Sequence, residues 1–70
     1  MATNDLPTEL LAERDRVRDV IVPQYESIGD AGKPALTFVI RPAIARADYA
    51  LKKHDAAAMV VALQELRGIT

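Results

Sequence analysis

The stretch SIGDAGKP, residues 27–34, sets two glycines and a lysine ahead of a helix start, residue types that can cradle a phosphate. A Walker-type phosphate loop reads GxxxxGK[ST], with the first glycine for the turn and the final hydroxyl for magnesium. Aligned on Gly32 and Lys33, the pattern finds Ser27 in place of the first glycine and Pro34 in place of the hydroxyl. No buried strand precedes the segment either, so it is not a phosphate loop of that kind. What survives is a generic anion site, in which N–H groups at a helix start are joined by Lys33 and assisted by Arg41 and Arg46. The plainer reading is a turn, with glycine ending one helix and Pro34 opening the next.

The dipeptide His54–Asp55 is similar to part of metal-dependent phosphohydrolase signatures. Those need several further histidines, and the chain has one histidine and no cysteine. A metal site is therefore not expected, and Asp55 reads instead as the N-cap of a helix. Besides His54, only Ser27, Tyr25 and Tyr49 could act as nucleophile or proton carrier, and no spacing sets a serine beside a histidine and a carboxylate. The chain is expected not to be an enzyme and to need no cofactor. Nucleic-acid binding is also disfavoured. The pI is about 5.7, the last helix is apolar, and Arg41, Arg46, Lys52 and Lys53 do not share a face with polar base-reading residues.

The elements that must position these residues are helical. Asp5 and Pro7 suit the start of a first helix over about residues 6–27, where Leu6, Leu10, Val17, Ile21 and Ile28 recur at helical spacing. Glu13 with Arg16, and Asp15 with Arg18, fall three apart on its charged face. Pro23 is expected to kink or break this helix. A second helix over about 34–53 carries the stripe Leu36, Ile40, Ile44, Ala47 and Leu51, with Pro42 threatening its interior. LTFVI could pass for a strand, but an isolated strand has no partner here. A third helix over about 56–67 follows a short turn and ends at Gly68, so the last two helices form an antiparallel hairpin. The fold class is all-α: one small domain with an amphipathic first helix and a helical hairpin.

Charge is distributed unevenly. Residues 1–30 carry seven acidic and three basic side chains, and residues 31–54 five basic and one acidic. An acidic helix beside a basic one explains this simply; a cationic surface for an anionic partner is the sharper alternative. Size points to association. Seventy residues without disulfide or metal make a small core, yet half of them are hydrophobic. AAAMVVAL is apolar on nearly every side, so a homo-oligomer, a dimer or larger, is expected, with Met59, Val60 and Leu63 at the contact. No apolar run reaches the roughly 18 residues that span a bilayer, and MATNDLPTEL is polar, so the chain reads as cytoplasmic and without a membrane partner.

From Tyr25 onward, Tyr25, Ile28, Gly29 and Gly32, an isoleucine- and alanine-rich helix, and then Asp55, Met59 and Leu66 make up a loose pattern. It resembles small uncharacterised proteins of bacteriophages and prophages, over residues 25–69. The resemblance implies work done by binding: disabling or redirecting a host bacterial protein, or sequestering a signalling nucleotide. It carries no functional residue with it. The expected function is therefore a small inhibitor or adaptor that occludes a host protein, with Tyr25, Ile28 and Phe38 as anchors. The alternative is an oligomer holding an anionic nucleotide between subunits, with Lys33, Arg41 and Arg46 on phosphate and Tyr25 or Tyr49 stacked on the base.

Overall fold

A computed structural model describes residues 5–70, and in it every regular element is helical. Helix α1 (6–27) opens on Asp5, whose extended backbone lets its carboxylate accept the Thr8 amide at 2.8 Å, with Pro7 in the first turn. Helix α2 (33–53) follows a 3-10 turn at Gly29–Gly32, and helix α3 (Ala56–Arg67) follows a two-residue turn. Asp55 caps α3 by accepting the Ala58 amide at 3.1 Å.

The two prolines neither end nor break their helices. Immediately before each lies one π-helical turn, Val17–Ile21 ahead of Pro23 and Leu36–Ile40 ahead of Pro42. In these turns Val22 donates to the carbonyl of Val17 and Arg41 to that of Leu36, each five residues back. In a regular α-helix the proline ring would collide with the carbonyl four residues earlier, that of Asp19 or Phe38. The wider turn relieves the crowding, and the α geometry resumes at Val22–Ser27 and Arg41–Lys53. Of the kink or break expected at Pro23, the break is absent and the interruption takes the form of this π turn. The true end of α1 comes at Ser27, where Gly29 takes φ +68°. Gly32 then passes so close to the Tyr25 carbonyl that a β-carbon there would overlap it.

The turn between α2 and α3 closes with His54 in the left-handed region at φ 53°. The His54 amide donates to Leu51 at 3.3 Å and the Asp55 amide to Ala50 at 3.2 Å, the two bonds of a Schellman closure. The resulting hairpin is antiparallel, and α1 lies against both its helices. Helix α3 ends at Gly68, as its spacing implies. Gly68 keeps a right-handed φ of −76° and donates to the carbonyls of Gln64 and Glu65.

Leu10, Val17, Ile21, Leu36, Ile40, Met59, Leu63 and Leu66 are buried between the layers, each worth about 1.5–3 kcal/mol of transfer free energy. On α2 the centre of the stripe falls on Ala43, Ala47 and Ala50, with Ile44 and Leu51 at its edge. Small side chains let α3 approach closely there. Arg16 fastens the far end: its guanidinium donates to the carbonyls of Leu66 at 3.0 Å and Ile69 at 2.9 Å, adding a second donor to Leu66, which already accepts the Ile69 amide. Arg14 ties α1 to α2 through Asp48 at 2.7 Å, and that carboxylate pushes its pKa above the ordinary arginine value.

Candidate functional site

The chain presents two separate surfaces. The first lies at the end of the molecule where α1 turns into α2. Phe38, the one phenylalanine of the chain, sits inside the π turn of α2, two residues from each of the buried Leu36 and Ile40. It therefore points away from the core and is 76% exposed, the most exposed of the large apolar side chains among the described residues. Val39 beside it and Ile28 are also more than half exposed. Ile28 had been expected to extend the apolar stripe of α1, but the helix ends one residue earlier and the side chain is left outside.

Tyr25 is only partly exposed. It packs against the core, and its hydroxyl donates to the Thr70 carbonyl at 3.4 Å. With Ala35, Val39, Ile40 and Ile69 it lines a shallow groove of about 200 Å³. It is thus a flank of this surface rather than a protruding anchor.

The second surface is the side of the hairpin turned away from α1. Ala45, Tyr49, Ala57, Ala58 and Val61, with Ala62 at the floor, line an open groove of about 500 Å³, and Arg46 and Glu65 stand at its rim. Tyr49 and Val61 are each more than 60% exposed, and Lys53 lies over the Tyr49 ring at 5.7 Å.

The residues expected at a contact between protomers divide between inside and outside. Met59 and Leu63 are 3% and 5% exposed, held in the core against α1 and α2, so they are not available to a second chain. Val60 alone of the three reaches the surface. The stretch AAAMVVAL is apolar at every position and so reads the same from every side. Which stripe turns inward depends on where α1 lies, and that placed Met59, Ala62, Leu63 and Leu66 within.

The expected cationic cluster is also divided. Lys33 and Arg41 share a groove of about 330 Å³ with Glu26, Gly29, Leu36 and Thr37. Arg46 lines the hairpin groove instead. All three are paired within the chain: Lys33 with Asp30 at 3.0 Å, Arg41 with Glu26 at 3.3 Å, and Arg46 with Glu65 at 2.7 Å. Glu65 holds the Arg46 guanidinium through two hydrogen bonds and raises its pKa. The acidic–basic asymmetry of the sequence is thus answered in part inside the molecule, by the pair from α1 to α2 and the pair from α2 to α3. Exposed pairs of this kind add little to stability, but they offset the positive charge that an anion would need.

Ser27, the one serine near the glycine turn, donates its hydroxyl to the Gln24 carbonyl at 2.7 Å, an ordinary contact at a helix end. Among the described residues no three His, Cys, Asp or Glu side chains come together as a metal-ligand group, and no helix is long and apolar enough to cross a membrane. Compared with protein-family models, curated proteins and solved structures, the chain has no significant match.

Proposed function

We propose that the protein works by binding alone, as a small inhibitor or adaptor of the phage or mobile-element kind that occludes a surface of a host bacterial protein. The observation that carries this reading is Phe38. A ring left 76% exposed, with Val39 exposed beside it in the chain, gives the folded chain nothing and suits an apolar pocket on a partner. The partner surface that fits has such a pocket and a rim of mixed charge, since Glu26, Asp30, Lys33 and Arg41 all lie at this end. Tyr25 would form one side of the contact and Phe38 its centre.

Nucleotide sequestration is the second reading, favoured only by the shared groove of Lys33 and Arg41. It loses Arg46 to the other surface, and the carboxylates of Glu26 and Asp30 would compete with a phosphate for the two cations that remain.

Native mass spectrometry of the protein gently purified from bacterial cells separates the two. The binding reading expects a whole host protein to be retained, and Phe38→Ala to weaken that complex by about 30-fold or more, the cost of losing a central anchor. Retention of a few hundred daltons per site, lost on reversing the charge of Arg41, would replace it with nucleotide binding. A bare chain under all conditions would overturn both.

A further inference from the structure

We infer that the hairpin groove is the interface of a two-fold homodimer, in which two copies of this chain join their α2–α3 hairpins into a four-helix core with each α1 on the outside. This stands apart from the surface around Phe38 and does not depend on it. The first ground is shape. The groove has a floor of alanines, Ala45, Ala57, Ala58 and Ala62, beside two large protruding side chains, Tyr49 and Val61. A two-fold contact requires a patch that is complementary to itself. Here each copy supplies both the knobs and the small-residue trough that receives them, as in packing between antiparallel helix pairs. Lys53 also lies over the Tyr49 ring at 5.7 Å, a weak cation–π contact at an exposed site.

Charge is the second ground. A copy that met itself across a rim of one sign would be repelled. Arg46 and Glu65 instead present both signs side by side as a closed pair, so no like charges are forced together. The molecule measures 41 × 25 × 17 Å, so a contact of the ~800 Å² per partner that stable interfaces bury has to spread from the groove over most of the open side of the hairpin. Part of the apolar excess is accounted for as well. Among the described residues fourteen hydrophobic side chains are buried within one protomer, and Tyr49, Val60 and Val61 remain outside on the hairpin.

Sedimentation-velocity centrifugation of the purified chain over micromolar concentrations tests this, with circular dichroism to confirm that each variant is helical. The wild type is expected at twice the chain mass of 7.6 kDa. Val61→Asp, a change at an exposed position, is expected to raise the dissociation constant by about 30-fold or more by burying an unpaired charge. Tyr49→Ser is the second variant and is expected to weaken the dimer in the same direction, while Phe38→Ala leaves it intact. A wild-type monomer throughout overturns the inference. So does a trimer or larger assembly, or a dimer that both hairpin variants leave unchanged.

Discussion

His54 occupies a backbone conformation that an L-residue enters at a cost, because its β-carbon approaches the following carbonyl; glycine pays none of this. It is held at φ 53° by the two hydrogen bonds that close α2, to Leu51 and Ala50. Beside Asp55 the side chain has the look of a metal signature in the sequence, yet the backbone explains its place: the chain turns left-handed here as α3 folds back. His54→Gly is accordingly expected to stabilise the fold by about 1 kcal/mol, less the extra freedom glycine has when unfolded. Thermal denaturation followed by circular dichroism should show a rise in Tm of several degrees for a chain this short. A lowered Tm would mean that the imidazole makes a contact worth more than the strain. Nothing in the sequence distinguishes a histidine at this position from one on a helix surface. The lesson runs the other way for Gly29, where the residue type already implies the left-handed backbone that is found.

At the scale of elements, caps and helical spacing were legible. Asp5 and Asp55 each accept the amide three residues on, as their position before an apolar periodic run implies. The ion pairs Glu13–Arg16 and Asp15–Arg18 also form at the spacing the sequence shows. Two things were not legible. A proline inside a helical pattern signals interruption, and only the three-dimensional path reveals that a π turn absorbs it. For α3, the stretch AAAMVVAL has no polar position to announce which side faces α1, and Met59 and Leu63, expected at a contact between protomers, lie within. The cap at Asp5 has a pH consequence. Its carboxylate accepts from Thr8, which lowers its pKa below the ordinary 3.8. A depressed folded-state value stabilises the fold fully above the unfolded pKa, and that contribution is lost as pH falls through the folded one. Urea denaturation of wild type and Asp5→Asn should therefore give a stability difference that is constant near neutral pH and narrows below about pH 4.

Across the whole molecule, the all-α architecture and the hairpin were within reach of the sequence, while the separation into two surfaces was not. Arg41 and Arg46 are five apart on one helix, yet one lines the groove near Lys33 and the other the hairpin groove. The layer formed by α1 decides this, because it covers one side of the hairpin and leaves the other open. The two π turns have a consequence of their own. They lie at the two points where the polypeptide enters and leaves the segment 22–40, and each is followed by a proline with no amide to bridge the seam. Each long helix thus changes its hydrogen-bond spacing and loses one donor at its π turn, and the end bearing Ile28 and Phe38 joins the rest of the fold through these two weaker points. Such a segment can open as a unit at a lower free energy than the body of the fold. Native-state hydrogen exchange should find the amides of 24–39 exchanging together and sooner than those of Arg41–Lys53 and Ala56–Arg67, so that the end bearing Phe38 adjusts its shape while the hairpin keeps its own.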